Sequence, residues 1–406
     1  MRSMTSTSLL NYLIIAYAFS IPVSLDLLRI FGPFIFIIWL VEGGLKEKFI
    51  EIKKEPVFKA IGLLILILLL SLFWTEPQNL KFGFKYVTRF WYLLPMFAIF
   101  TSLKKTYIPY TITAFLAGMS VSVIASYLVY FHLVPFENFR AEGASPFMHH
   151  TLYSIFLAFS IALLFQKLLA VQKKSHILVY AILTLLFTLN LFINIGRAGQ
   201  LLFFILGLIV LINHYKITVK TVGLSMLGII LSFYLIFTLS QNFRQKMELT
   251  YHNLTHVSYS TSLGARIGLN IVAKEIISKH PLLGVGAGDY LTEKSKIVDA
   301  EYPDRVYVRY LVHYHNQYAE FAVIAGIFGL FAYLLIWVQI GRIKIKDTYL
   351  RTSKYLFIMT FMTTSLIDAM FHLNRPLSLF ALFLGLLLAQ SRHERFRSSD
   401  QSNASN

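Results

Sequence analysis

The residues best suited to chemistry in this chain are His315, Arg266 and Arg197, each near a boundary between apolar and polar sequence. His315 and Asn316 close a polar segment, Gln241 to His315, and open the apolar stretch QYAEFAVIAGIFGL. Histidine is the side chain most often used as a general base, so His315 is suited to accept a hydroxyl proton at a membrane surface. A helix-start histidine satisfied by backbone is the structural alternative. His313 stands two residues earlier, beyond Tyr314. Two histidines at that spacing suggest a metal, but no carboxylate pattern of a familiar zinc or iron site accompanies them. Glu320 falls five residues after His315, about 140° around a helix, which opposes joint ligation. Neither a metal nor a cofactor is expected.

The arginines have a different use. Arg197 lies in NIGRAGQ, between two apolar runs with almost no loop. Gly196 and Gly199 permit a tight turn there, holding the guanidinium at a fixed depth and freeing backbone N–H groups for an anion. An arginine snorkelling to lipid headgroups is the alternative. Arg266 lies in SLGARIGLNIVAKEIISK, where Asn270 and Lys274 follow at four-residue spacing and Leu269, Val272 and Ile276 fall opposite. That pattern predicts an amphipathic helix lying on a bundle and presenting Arg266 to a cavity. His280-Pro281 ends it, and Gly284, Gly286 and Gly288 permit close backbone approach or positive φ. This glycine cluster lacks the Lys-Ser/Thr of a P-loop and the strand that precedes a dinucleotide loop.

What must position these residues is a membrane bundle. The chain is 56% hydrophobic, 16% aromatic and only 14% charged, far from the composition of a soluble domain. Runs such as AIGLLILILLLSLF are apolar on every side and need hydrocarbon around them. Hydropathy predicts an all-α polytopic protein of about 12 transmembrane helices. The spans fall at roughly 8–25, 27–42, 57–74, 89–103, 107–131, 149–167, 176–195, 199–214, 221–240, 316–340, 354–371 and 375–391. Residues 1–240 form an N-terminal bundle and 241–315 a large, partly helical outer loop. Residues 316–391 form the last spans, and 392–406 a tail whose SSDQSNASN end is expected to be disordered.

Charge sets the orientation. With a cytoplasmic N-terminus, the inner loops collect Lys46, Lys48, Lys53, Lys54, Lys104, Lys105, Lys167, Lys173, Lys174, Lys216, Lys220, Arg342, Lys344, Lys346, Arg351, Lys354, Arg392, Arg395 and Arg397. This satisfies the positive-inside rule and predicts both termini inside and the long loop outside. The net charge of +17 is thus explained by topology and anionic headgroups rather than by nucleic acid. No cysteine occurs, which excludes disulfides and thiolate metal sites. The first span has no convincing cleavage site after it and reads as an uncleaved anchor.

Further outer-side candidates are Lys81, Lys85 and Arg89, a cationic stripe at four-residue spacing with interleaved aromatics, as suited to steering an anionic lipid as to forming a solvated interfacial helix. Arg140 in ENFRAEGASPFMHH is suited to contact glycan, and His149-His150 start a span. Asp289 and Glu320 are expected to orient neighbouring cations. Asp368 is expected inside a span and Arg375 at an outer turn, where an internal ion pair or lipid contact competes with function.

The ordered set NIGRAG, GARIGL, HPLLGVGAGDY and HYHNQYAEFAVIAGIFGL resembles the O-antigen ligase and polymerase superfamily of bacterial envelopes, over about Asn194 to Leu330. The resemblance implies a GT-C-like, lipid-dependent glycosyltransferase of the Gram-negative inner membrane, with its site facing the periplasm and no metal or nucleotide sugar. It implies an undecaprenyl-diphosphate-linked glycan as donor and lipid A-core as acceptor. Arg197 and Arg266 then correspond to the diphosphate-binding arginines and His315 to the acceptor-activating base. Lys81, Lys85, Arg89, Arg140, His313 and Asn316 would bind substrate. Two arginines can stabilise a departing diphosphate without magnesium, and a base on the opposite face of the sugar predicts inversion. An O-antigen polymerase or protein O-oligosaccharyltransferase shares the donor chemistry. A lipid-linked glycan transporter needs similar spans and cations, but no internal repeat is evident.

Overall fold

The structure is a computed structural model describing residues 6–134, 144–215, 218–255, 261–302 and 306–403. The helices run α1 Ser6–Val23, α2 Leu25–Val41, α3 Leu45–Lys54, α4 Pro56–Leu70, α5 Leu80–Thr88, α6 Pro95–Ser102, α7 Ile108–Tyr130, α8 His150–Ala170 and α9 Lys174–Ile193. They continue as α10 Arg197–His214, α11 Val219–Leu239, α12 Gln241–Thr255, α13 Ser262–Lys279, α14 Tyr290–Glu301, α15 Val306–Arg309, α16 Gln317–Arg342, α17 Thr348–Thr364 and α18 Asn374–Asn403. The all-α polytopic class follows directly. Among the described residues seven helices are long and apolar enough to cross a membrane: 56–74, 105–130, 150–170, 174–193, 197–214, 222–239 and 317–342. Thr7–Val23 is apolar but shorter.

Several elements differ from the hydropathy reading. The run 89–103 is a 3-10 segment, Arg89–Leu93, followed by the eight-residue α6, because Pro95 can start a helix but cannot continue one. At the C-terminus α18 runs on to Asn403, over a segment expected as tail, since SRHERFRSSDQSN contains no proline or glycine to stop it.

The most buried span is α8, which packs closely on α10. Gly199 makes that approach possible: a Cβ there would lie 2.0 Å from the Ser154 carbonyl oxygen. Its N–H donates to Ser154 Oγ at 3.1 Å, and Gly196 has φ −77°. The NIGRAG glycines therefore serve helix contact, and the Gly199 amide is engaged within the bundle.

The decisive irregularity lies in α16. At Ala325 (φ −137°, ψ 20°) and Gly326 (φ 60°, ψ −151°) the helix is broken, although Gly326 and Gly329 suggest close helix packing in sequence. The displaced peptide groups are taken up by the glycine-rich loop after α13. Val285 N–H donates to Val323 O at 2.8 Å, Gly286 N–H to Ile324 O at 2.9 Å, and Ile327 N–H to Pro281 O at 2.9 Å. The other side of the loop is held by the segment after α4: Ser71 Oγ accepts from Ala287 N–H, and Asp289 accepts from Glu76 N–H at 2.7 Å and Asn79 Nδ2 at 2.6 Å. Asp289 thus fixes backbone, not a cation.

Gly326 occupies a backbone region essentially reserved for glycine, and a Cβ on it would sit 2.2 Å from Leu282 O. Gly326→Ala should therefore cost at least about 2 kcal/mol. Gly207→Ala, on the α10 face with nothing within 4 Å of the added carbon, should be neutral or stabilising. Thermal unfolding of the detergent-solubilised proteins checks this; equal melting temperatures for the two variants would contradict the role given to the break.

Candidate active site

The polar cluster gathers where α16 begins. Asn316 caps α16, its Oδ1 accepting from Ala319 N–H at 3.1 Å, as the side-chain chemistry of an N-cap requires. Its Nδ2 donates to Asn270 Oδ1 at 2.8 Å, and Asn270 Nδ2 donates to the Arg266 carbonyl at 2.8 Å. The amphipathic α13 is thereby fixed to α16. Its Leu269, Val272 and Ile276 are buried and Lys274 is exposed, matching the expected faces.

Arg266 turns inward: Nε donates to Ile367 O at 3.0 Å and Nη1 to Ser262 Oγ at 2.7 Å. Burial lowers the pKa of this guanidinium from its ordinary value, and the Asp368 carboxylate acts in the opposite sense. Arg197, at the first turn of α10, donates to Thr250 Oγ1 at 2.6 Å and lies within electrostatic range of Arg266. Among the described residues neither arginine forms an ion pair; their hydrogen-bond partners are neutral.

His315 is held in a left-handed conformation, φ 48°, rare for a residue with a Cβ. Contacts on both sides impose it. Before it, the Tyr314 N–H donates to Glu320 Oε2 at 3.2 Å and Tyr314 Oη to Tyr290 O at 2.9 Å. After it, Gln317 N–H donates to Ser365 O at 2.8 Å, while Gln317 Oε1 accepts from Phe371 N–H at 2.6 Å. Those bonds clamp the turn after α17 onto the start of α16. Asp368 stands in that turn rather than inside a helix, because α17 ends at Thr364. Lys294, buried and donating to Leu311 O, ties down the chain leading to His313; burial pushes its amine down to about 8.

The turn brings Asp368 Oδ1 to 3.2 Å from His315 Nδ1. His315 Nδ1 is buried and faces this carboxylate oxygen without a formed hydrogen bond. His315 is the accessible member of the group, its side chain 24% exposed against 10% for His313 and 7% for Asp368. For Asp368 and Arg375 the sequence sets an internal ion pair or lipid contact against a functional role. Among the described residues that pair is absent; Arg375 donates to Phe147 O.

His313, His315 and Asp368 each offer a ligand atom, all within 4.8 Å of one another, which is a spacing a divalent cation can use. The carboxylate missing from the sequence argument is therefore present in space. Against ligation, His313 Nδ1 already accepts the His315 N–H at 3.3 Å, leaving its other nitrogen as the remaining ligand atom.

A second group backs the first. Glu320 is fully buried; its Oε1 accepts from Tyr86 Oη at 2.9 Å and lies 3.1 Å from His372 Nδ1. Glu320 thus does orient a titratable neighbour, and both His372 and Tyr86 escape sequence inspection. Arg89 donates to the His372 carbonyl at 2.7 Å, so it braces this group, whereas Lys81 and Lys85 lie exposed on α5. His149 caps α8 and its ring stacks near His150, with centroids 4.0 Å apart. Arg140 lies outside the described residues.

Beside the arginines an apolar groove of about 550 Å³ runs between α10, α11 and α17. Ala198, Leu201, Phe204, Phe233 and Leu366 line it, and Ala198 and Ile367 place its mouth next to Arg197 and Asp368.

Fold and site together define a multi-pass membrane protein that gathers two arginines, two histidines and a carboxylate at one end of its bundle. Residues 181–334 match the family model described as O-Antigen ligase, so that stretch of the chain, over which the sequence motifs fall, is similar to the family. A comparison with curated proteins finds no match.

Burial, reinforced by the neighbouring His315, pushes the His313 imidazole from its ordinary 6.5 down to about 4. Below pH 6.5 the unfolded chain therefore binds a proton that the folded one refuses. The stability contributed by neutral His313 is present above pH 6.5 and is lost as pH falls towards 4. Melting temperature should fall on acidification from pH 7 to pH 5, less steeply in His313→Asn; identical slopes would show that His313 does not carry the effect.

Proposed function

We propose that the protein is an O-antigen ligase, transferring glycan from an undecaprenyl-diphosphate carrier to lipid A-core on the periplasmic face of the inner membrane. The observation that carries this reading is the convergence of Arg197, Arg266 and the His315–Asp368 pair at the mouth of an apolar groove. The family match supports a ligase or polymerase and the charge pattern supports the orientation, with both termini cytoplasmic.

In this reading the polyprenyl chain lies along the groove beside Leu201, Phe204 and Phe233, and the diphosphate meets Arg266 and Arg197. As the acceptor oxygen attacks the anomeric carbon, the bond from that carbon to the phosphate oxygen breaks. The electron pair leaves with the diphosphate. The arginines stabilise the charge that builds there, by planar donors held in a low-dielectric setting. The acceptor proton passes to His315 Nε2, and Asp368, facing Nδ1, stabilises the imidazolium. Attack from the face opposite the leaving group gives inversion. Metal is not required: diphosphate stabilisation falls to arginine, and the hydrogen bond at His313 Nδ1 disfavours the cation alternative.

Reconstituted protein with lipid-linked donor and purified lipid A-core should form product in the presence of a chelator. His315→Ala should lower kcat by about 100- to 10,000-fold. Asp368→Asn should lower kcat with little change in donor KM, and Arg266→Lys should lower kcat by losing the planar fork. Activity abolished by chelation and restored by zinc would replace the dyad with a metal site. Elongation of the lipid-linked donor in place of transfer to lipid A-core would make the protein a polymerase, and modification of a protein acceptor would make it an oligosaccharyltransferase.

A further inference from the structure

At the end of α17 far from Asp368 the bundle holds a second chemically distinct feature. Seventeen residues run from Thr348 to Thr364, roughly 25 Å of helix. There a cavity of about 630 Å³ opens between the start of α7, the end of α8, the start of α17 and α18. Lys105, Lys167 and Lys346 line it, each from a different part of the chain and each at or next to the end of an apolar helix. Three lysines thus line one cavity, on the face that the charge pattern assigns to the cytoplasm.

The acids in the same wall are hydrogen-bonded within the protein but keep their charge, and Glu394 lies within electrostatic range of Lys105. Asp347 Oδ1 caps α17 through Leu350 N–H at 2.8 Å. Glu394 accepts from the backbone N–H of Lys346 at 2.6 Å and of Asp347 at 3.0 Å, and from Gln390 Nε2 at 2.8 Å. Among the described residues none of the three lysines forms an ion pair. Lys167 Nζ instead lies 5.7 Å from the ring centroids of both Tyr180 and Tyr349, which hold the cation without neutralising it. The remaining wall is apolar: Ile108, Pro109, Ile112 and Leu350.

Three cations against two carboxylates, none of them joined in an ion pair among the described residues and all above an apolar wall, match an amphiphile with an anionic phosphate head and acyl chains. We propose that this cavity binds an anionic phospholipid of the inner leaflet, its phosphodiester among Lys105, Lys167 and Lys346 and its chains over Ile108, Ile112 and Leu350. The site is separate from the His315 cluster and independent of the proposed reaction. A soluble phosphate ester shares the head chemistry but has nothing to place on the apolar wall.

The test is native mass spectrometry and thermal unfolding of the full-length protein titrated with phosphatidylglycerol, phosphatidylcholine or glycerol 3-phosphate. Wild type should retain phosphatidylglycerol and melt higher with it, and should respond to neither of the other two. The triple variant Lys105→Gln, Lys167→Gln, Lys346→Gln should bind phosphatidylglycerol on the order of a hundredfold more weakly. Lys274→Gln, exposed on α13 at the His315 end, should bind it as wild type does. Because no ion pair is broken, the triple variant should melt near wild type in lipid-free detergent. If it does not, the three single variants, each expected to weaken binding, decide the matter. Unchanged retention by the lysine variants, or glycerol 3-phosphate binding as tightly as the lipid, would overturn the proposal.

Discussion

In hydrocarbon a peptide group without a partner costs several kcal/mol, so a membrane helix can be interrupted only where other protein groups supply the missing hydrogen bonds. The break in α16 at Ala325 and Gly326 is governed by that constraint. Val323, Ile324 and Ile327 find their partners in Pro281, Val285 and Gly286, so the segment after α13 must enter the bundle for α16 to take this shape. The same docking fixes both ends of the active cluster. α13 carries Arg266 up to the loop's start, α16 carries Asn316 at its first turn, and the Asn316–Asn270 bond joins the two. A loop that merely lay on the membrane surface could not hold Arg266 in register with His315.

The strain at His315 belongs to the same design. A left-handed histidine persists only if its neighbours over-determine it. Glu320 fixes the Tyr314 amide before it, and Ser365 and Gln317 fix the chain after it. Since Glu320 also holds Tyr86 and His372, three separate stretches of chain converge on one fully buried carboxylate. That carboxylate supports the cluster from behind and leaves Asp368 to face His315 alone.

Much of this was legible in local pattern. Period and burial agree along α13, the span read from 316 matches the start of α16, and the motifs carrying the family resemblance fall within the matched residues 181–334. What could not be read was pairing across distance. Asp368 looked like a charge inside a span because hydropathy averages over a window and cannot see that α17 stops at Thr364. The glycines of NIGRAG suggested an anion-binding turn, yet their spacing says nothing about Ser154, whose carbonyl and hydroxyl crowd them from another helix. His372 and Tyr86 gave no signal at all, since a single histidine or tyrosine beside an apolar run has no periodicity to betray it. The span count is sensitive for a related reason: short, broken or partly polar helices such as α6 depend on neighbours, not on their own length, for shelter.

The electrostatics of the cluster follow from how its cations are satisfied. Arg197 and Arg266 are drawn together by packing, against their mutual repulsion, and their hydrogen bonds go to a threonine, a serine and a backbone carbonyl. A neutral acceptor orients a guanidinium without cancelling its charge, so the desolvation cost of holding two cations here is met by packing, with the Asp368 carboxylate offsetting part of it at Arg266 without forming an ion pair. A dianionic group approaching this pair gains charge–charge attraction without first displacing a carboxylate. Had Asp368 been an arginine partner, as its place in sequence beside Arg375 suggested, that gain would be spent in advance. Its place 3.2 Å from His315 instead keeps it out of an ion pair with the arginines, so that in the proposed reaction positive charge remains for the leaving group and negative charge for the base.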